Sequence, residues 1–306
     1  MYNHFTEAEM RFNEAGRMFH LSTTPIEDEI VFATESEYII VNNLIALAIS
    51  CSKVVLLAFA IMSNHLHLIL EGESGDCLVF FENLMFRLQK VFARHGRGGI
   101  INRMKPGLVS IDNLKQFRDE LAYVIRNPFV VRVDVNPFSF RWCSGFLYFN
   151  PFLHLGGIPA SHLKGRALRE FVHTREDVTV PETILVENGV ANPASFVDYK
   201  KVESFFDNAR QYVMWVLKNV EGQVETASRH GECPQLNDEE VQRLAISLCR
   251  SIFKADSPKR LSEENKKRLA VRLKRDYYPS NGQLARSVNL SPDVINSLFP
   301  LSAPNK

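Results

Sequence analysis

The chain has 306 residues, a hydrophobic fraction of 45% and a formal net charge of +1. Its length is about twice that of a common domain, which predicts two domains, and its apolar content excludes a disordered protein. The five cysteines are scattered without a C-x-x-C pair, so they indicate neither a disulfide framework nor a structural zinc site. This usage fits a reducing compartment, and we expect the protein in the cytoplasm.

The near-zero net charge hides two basic blocks. Residues 81–141 carry eleven basic side chains against five acidic ones, and residues 254–286 carry ten against four. Residues 1–80, in contrast, carry three basic and eleven acidic side chains. Basic blocks of this kind favour a surface that binds a polyanion, although two solvated helix faces would give the same composition.

The first part of the chain alternates strands and helices. Hydrophobic spacing predicts a strand at 16–25, a helix at 35–52, strands at 53–62 and 65–70, and a helix at 77–95. Ser63-Asn64 between the second and third strands predicts a hairpin. The segment 38–70 has a single charged residue, Lys53, but polar residues interrupt it, and a spanning helix needs about 20 continuous apolar residues. We therefore expect no membrane contact.

A glycine-rich tract at 95–99 predicts a flexible basic loop, followed by a third helix at 113–126. Pro128 is expected to close that helix, because proline disfavours helical geometry in the residue before it. The aromatic stretch 138–155 then ends the first domain, and 156–159 is the predicted linker. The fold class is thus α+β, with an antiparallel sheet and packed helices over residues 1–155.

The second predicted domain, residues 160–306, is mostly helical, with helices at 196–220, 238–253 and 263–277. Residues 280–299 resemble a helix-turn-helix in which Ser291-Pro292 begins the recognition helix. A pair of short packed helices is the alternative. Basic residues at 266–275 favour DNA contact by this domain.

His65 and His67 are the first candidate site residues. Residues i and i+2 of a strand point to the same face, so both imidazoles project to one side, where they can bind one divalent metal. A polar face or a chance match would give the same pattern.

Tyr123 and Asn127 lie four residues apart on the third predicted helix, so their side chains share one face. By itself this pattern is typical of a core tyrosine and a helix stop. Basic residues between the two motifs suit a phosphate backbone and, with nearby aromatic rings, stacked bases. The candidate DNA-binding residues are Arg87, Lys90, Arg94, Arg97, Arg103, Lys105 and Arg126.

The ordered set of motifs resembles the single-tyrosine HUH transposases, most closely the branch associated with repetitive extragenic palindromes. The resemblance spans residues 16–150. Its motifs are Met18-Phe-His20, Met62-Ser-Asn-His65-Leu-His67, Tyr123-Val-Ile-Arg-Asn127-Pro128 and Phe140-Arg-Trp142-Cys-Ser144. Many insertion-sequence members carry glutamine at the position of Asn127.

The resemblance implies a ferredoxin-like (RRM-like) HUH domain in which His65 and His67 hold Mg²⁺ or Mn²⁺ and Asn127 is the third ligand. Tyr123 would be the nucleophile that cleaves single-stranded or hairpin DNA through a 5′-phosphotyrosine and later rejoins it. A homodimer is left open. Two other classes remain: a DNA-binding regulator that no longer cleaves, and an unrelated metal hydrolase. The absence of an acidic residue next to His65 and His67 in the sequence disfavours the hydrolase.

Overall fold

The computed structural model describes residues 6–26, 29–131, 136–174, 180–218, 220–232 and 236–300. Cys233, one of the five cysteines, lies outside these ranges. The chain divides into two compact units, Met1–Gly222 and Gln223–Lys306. Each unit is described separately below.

A four-stranded antiparallel sheet forms the centre of the first unit. Its strands are β1 (Met18–Thr23), β2 (Val55–Ile61), β3 (Leu66–Glu71) and β4 (Pro106–Ile111), in the order β2-β3-β1-β4. With the intervening helices the connectivity is β-α-β-β-α-β, which is the ferredoxin-like arrangement. The predicted α+β class, with an antiparallel sheet and packed helices, is confirmed.

The hairpin of β2 and β3 is also confirmed, and its turn is held by an earlier part of the chain. The carbonyl of Ser63 accepts hydrogen bonds from the backbone N–H groups of Val31 and Phe32, each at 2.8 Å. The side-chain Nδ2 of Asn64 donates a hydrogen bond to the carbonyl of Ile26 at 3.0 Å. These bonds fix the turn immediately before His65.

Strand β4 replaces the second half of the predicted flexible loop. It pairs with β1 at the sheet edge, from Thr23 opposite Pro106 to Met18 opposite Ile111. Its initial Pro106-Gly107 is typical of a loop in sequence, but the first residue of an edge strand tolerates proline because no N–H is needed there. The tract at 98–101 is a short helix rather than a loop.

The helices of this region begin with α1 (Glu7–Glu14), α2 (Glu35–Ser50), α3 (Ser74–Ala93), α4 (Gly98–Ile101) and α5 (Leu114–Val131). Thr34 and Glu37 form a reciprocal capping box that starts α2. Helix α5 packs on the sheet face that carries His20 and His67. It continues through Pro128, so the predicted end at residue 126 is wrong.

The chain from 158 to 218 adds a small sheet and three helices to the first unit. The sheet consists of β5 (Ile158–Pro159), β6 (Leu185–Glu187) and β7 (Val190–Ala191) in sequential order, and the helices are α6 (Gly165–Val172), α7 (Tyr199–Ser204) and α8 (Ala209–Lys218). Helix α9 (Val220–Arg229) contains the boundary between the units.

This segment belongs to the core of the first unit, so the unit boundary lies later than the predicted linker at 156–159. Asp198 donates its backbone N–H to the carbonyl of Leu56 in β2 at 2.9 Å. Asn42 of α2 donates to the carbonyl of Ala191 at 2.9 Å. Fully buried side chains that come after the predicted linker, Phe171, Phe205 and Tyr212, pack in the same apolar core as the sheet.

The second unit is helical, with α10 (Asp238–Phe253), α11 (Glu263–Tyr277), α12 (Asn281–Val288) and α13 (Pro292–Leu298). Ser280 caps α12, and Ser291, followed by Pro292, caps α13. Between them Asn289 has a left-handed backbone with φ of 57°. The two helices and the short turn predicted at 280–299 are therefore present.

Within the part of the chain that the structure describes, we find no helix with the length and apolarity required to cross a membrane.

Candidate metal and nucleophile site

The two predicted histidine ligands lie side by side where β3 begins. His67 is in β3, opposite Ser22 of β1 and Ala60 of β2, and His65 directly precedes the strand. The centroids of their rings are 4.7 Å apart, with an interplanar angle of 86°. Their potential ligand nitrogens lie within 4.8 Å of each other. The i and i+2 spacing therefore places both imidazoles on one side, as expected.

His65 presents a free lone pair. Its Nδ1 lies 2.7 Å from Oδ1 of Asn64, an acceptor, so Nδ1 carries the proton and Nε2 does not. Nε2 is buried and has no hydrogen-bond partner among the residues described. Burial lowers the pKa of His65 to about 4, which keeps the ring neutral at pH 7. A buried, neutral imidazole with an unpartnered nitrogen has the donor chemistry of a metal ligand.

Helix α5 brings Tyr123 and Asn127 to the same histidines. Asn127 Nδ2 is 2.9 Å from His67 Nε2. The ring centroid of Tyr123 is 5.5 Å from that of His67 and 6.2 Å from that of His20. All four predicted residues (His65, His67, Tyr123 and Asn127) therefore converge, and each is at most 8% exposed.

The continuation of α5 past residue 126 explains this convergence. Proline lacks the N–H that an interior helical residue donates, so Pro128 leaves one carbonyl of the preceding turn without its helical donor. Its ring nevertheless fits the helical φ, and α5 extends to Val131. Asn127 therefore stays on the helical face that also carries Tyr123.

The sequence reasoning missed two further members of the cluster, His20 and Glu120. His20 Nδ1 lies 2.6 Å from Glu120 Oε2, and His20 Nε2 lies 3.1 Å from His67 Nδ1. Both side chains are fully buried. Two signals were available in the sequence. Glu120 precedes Tyr123 by about one helical turn, and His20 is a polar residue within an otherwise apolar half of a strand.

Glu120 also corrects the argument against a hydrolase. No acidic residue neighbours His65 and His67 along the chain, but α5 brings this carboxylate into the cluster from 53 positions beyond His67. In the structure the carboxylate is bonded to His20, not to His65 or His67, among the hydrogen bonds described. The carboxylate thus reaches His67 through His20.

Several of the predicted DNA-binding residues are paired or buried within the fold. Arg97 binds the carboxylate of Glu37 and the carbonyl of Val31, so it fastens the start of α4 to the start of α2. Arg103 pairs with Glu29 at 2.7 Å, and Arg126 is only 2% exposed.

The remaining four residues differ in their surroundings. Arg94 donates to the carbonyl of His173 at 2.8 Å, and Arg87 donates to Asn83 at 2.6 Å. The Lys90 ammonium lies 4.6 Å from the ring centroid of Phe86. Lys105 is exposed at the start of the β4 edge. Of the seven, Lys90, Arg94, Arg103 and Lys105 therefore present exposed charge to the solvent.

The second basic block lies on α11 of the second unit, where several charges are paired along the helix. Lys267 pairs with Glu263 at 2.7 Å, and Arg272 pairs with Asp276. Pairs of this kind are exposed and contribute little to stability.

The residues of the cluster fit a metal ion. Two imidazoles and an amide lie within reach of one another, a buried histidine nitrogen is unpartnered, and a buried carboxylate supports the second histidine through His20. Buried histidine and glutamate groups could therefore hold a metal ion.

A scan against protein-family models, a search of curated proteins and a search of solved structures each found no match to this chain. The case for function therefore depends on the geometry of the cluster and on the motifs that it contains.

Proposed function

We propose that this protein is a metal-dependent single-stranded DNA endonuclease and strand transferase of the single-tyrosine HUH type, that is, a transposase. One observation carries the proposal: the helix-borne Tyr123 and Asn127 meet the paired His65 and His67 in one buried cluster.

His65 and His67 would hold the metal through their Nε2 atoms, and Asn127 through its amide oxygen. Two imidazoles favour a first-row transition ion, so Mn²⁺ suits this donor set better than Mg²⁺. When bound, the metal polarises the scissile phosphate and offsets the charge that develops on its oxygens.

Tyr123 is the nucleophile of the proposed reaction. A phenol has a pKa of about 10, so it must lose its proton as it attacks. The phenolic oxygen forms a bond to phosphorus, the bond from phosphorus to the 3′ oxygen breaks, and that oxygen takes the electron pair and a proton. The products are a 5′-phosphotyrosine and a free 3′-OH. Attack by another 3′-OH on the phosphotyrosine reverses the reaction and joins DNA.

Access to the cluster is restricted. Tyr123 is 7% exposed and His65 is 8% exposed. A DNA strand therefore reaches the phenol only after the groups that cover it have moved.

The test uses single-stranded and hairpin oligonucleotides of mixed sequence with Mn²⁺ and the full chain. With a label at the 3′ end, the wild-type protein should acquire the label in a complex that survives denaturation. With a label at the 5′ end, the label should be released in a shortened strand. This polarity follows from the 5′-phosphotyrosine.

Tyr123→Phe should abolish the adduct while the protein keeps its fold, because only a hydroxyl is lost. Tyr278→Phe is the matched control, since it removes the hydroxyl of an exposed tyrosine in the second unit. An adduct that persists in Tyr123→Phe would refute the nucleophile. DNA binding without any adduct in the wild type would instead favour the regulator.

A further inference from the structure

Four buried side chains form an unbroken line of hydrogen-bonding contacts beneath the proposed metal site. The line runs from Glu120 Oε2 to His20 Nδ1 at 2.6 Å, from His20 Nε2 to His67 Nδ1 at 3.1 Å, and from His67 Nε2 to Asn127 Nδ2 at 2.9 Å. The side chains of His20, His67 and Glu120 are fully buried, so bulk water does not compete for these bonds.

The contacts allow one direction of proton donation. The amide nitrogen of Asn127 can only donate, so His67 Nε2 accepts and carries no proton. A neutral His67 then has its proton on Nδ1 and donates to His20 Nε2. His20 in turn has its proton on Nδ1 and donates to the carboxylate of Glu120, a short bond typical of a charged acceptor. The directions of these three bonds are thus consistent with one another.

We infer that His20 and Glu120 are positioning residues that hold His67 in its Nδ1–H form. The Nε2 lone pair, which accepts from the Asn127 amide in this structure, is then available to a metal once that amide turns its oxygen toward the ion. This inference depends on the metal site of the proposed function. In the contacts described above, both residues act through His67. A carboxylate behind a ligand histidine fixes the ring and raises its basicity.

The arrangement also explains an otherwise costly placement. A buried carboxylate and two buried imidazoles at the centre of an apolar sheet are unfavourable unless their polar atoms are paired. Apolar residues at 20 and 120 would pack in this core without that cost. Their polar identity therefore serves the orientation of His67, which no apolar pair could fix.

The first measurement is the tautomer of each neutral ring, read from long-range proton–nitrogen correlation spectra of the full chain labelled with ¹⁵N-histidine. His67 is assigned by its loss in His67→Gln. We expect Nδ1–H for both His20 and His67 in the wild type, and a mixed tautomer for His67 in His20→Phe, which keeps a ring of similar size without an acceptor. His67 protonated at Nε2 in the wild type would overturn the inference.

The second measurement is the affinity for Mn²⁺ alone, taken from the resonance signal of the free ion. His20→Phe and Glu120→Gln should each weaken binding by about 10- to 100-fold. Ile69→Val is the matched control, because Ile69 is buried opposite His20 in β3 and contributes no polar atom. It should bind Mn²⁺ as the wild type does.

The outcomes separate the inference from the function on which it depends. If the wild type, His20→Phe and Glu120→Gln all bind Mn²⁺ equally well, the positioning role is wrong and the proposed metal site is retained. If the wild type binds no Mn²⁺, the metal site is wrong. The tautomer spectra still show which nitrogen of His20 and of His67 carries the proton, and so the direction of each hydrogen bond. Should His20→Phe fail to fold, Glu120→Gln retains shape and decides the affinity question alone.

Discussion

At the scale of single residues, burial keeps His173, a histidine outside the cluster, neutral, as it does His65. His173 ends α6 with a left-handed φ of 52°. Burial, together with the nearby positive charge of Arg94, lowers its pKa to about 4, although Glu170 opposes the effect. The folded protein therefore holds this ring neutral at a pH where the unfolded chain protonates it.

The sign of the resulting pH dependence follows from proton binding. Between pH 6.5 and about 4 the unfolded chain binds more protons at this ring than the folded chain, so the free energy of unfolding falls as the pH falls through that window. The slope is at most about 1.4 kcal/mol per pH unit for one ring. Denaturant titrations at pH 7 and pH 5 should show this loss.

His173→Asn should reduce the loss, because asparagine has no titrating group and tolerates a left-handed backbone. His162→Asn is the control, since His162 is exposed and lies in the short turn before α6. Equal pH dependence in His173→Asn and the wild type would contradict the assignment.

Among the residues of the cluster, two histidines could be predicted from the sequence and two other side chains could not. His65 and His67 were predicted because strand periodicity alone puts i and i+2 on one face. His20 and Glu120 were missed as functional residues, because their roles depend on the pairing of β1 with β3 and on the packing of α5, which no local pattern encodes. The basic residues show the opposite error: composition gave their charge, but ion pairs such as that of Arg97 with Glu37 arise only in the fold.

At the scale of elements, the position of helix α5 depends on a glycine in a separate turn. Gly145 lies in a short 3₁₀ segment, Ser144–Phe146. A Cβ built on Gly145 would come within 2.8 Å of Ile125 Cγ2 on α5, and nearer still to the carbonyl oxygen of Pro137. The close approach of Ile125 to Gly145 thus fixes the position of α5 in the first unit.

Gly145→Ala should lower the free energy of unfolding by about 1–3 kcal/mol, because the added methyl meets backbone that cannot move aside cheaply. Gly75→Ala is the matched control. Gly75 lies in α3 with open space at its Cβ position, so alanine should stabilise the helix by about 0.5–1 kcal/mol. Chemical denaturation of the two variants checks both signs, and a neutral Gly145→Ala would show that α5 can shift.

Element boundaries were predicted least well where proline stands. Pro128 was predicted to end a helix, and the loop predicted from the glycine-rich tract at 95–99 covered Pro106, yet α5 continues through the first proline and β4 starts at the second. In both places tertiary contacts overrule the local preference: α5 is held against the sheet by its buried face, and β4 is held by its ladder with β1.

At the scale of the whole molecule, the unit boundary decides which truncated chain folds. Residues 158–218 supply core side chains and a backbone bond to β2. A chain of residues 1–155 would expose the apolar surface that these residues cover, so we expect it to aggregate. A chain of residues 1–222 should be monodisperse and should melt cooperatively.

Comparison of the 1–222 chain with the full chain tests whether cleavage depends on the first unit and sequence preference on the second. We expect residues 1–222 to keep Mn²⁺-dependent adduct formation on mixed single strands, since His65, His67, Tyr123 and Asn127 all lie within them. If the helix pair α12 and α13 reads base edges, the shorter chain should lose its preference for the cognate sequence, because phosphate contacts position DNA without specifying it. A soluble 1–155 chain would contradict the placement of the boundary.

The central position of β1 in the sheet has a consequence for biosynthesis. Met18 pairs with Glu71 on one side and with Ile111 on the other, whereas β2 and β3 are neighbours in the chain. During translation the hairpin of β2 and β3 can close first, while β1, which is synthesised before both of its partner strands, waits for them. The cluster of His20, His67, Glu120 and Asn127 is completed only after residue 127 has emerged, 107 residues after His20, so the nascent chain carries no assembled cluster before that point.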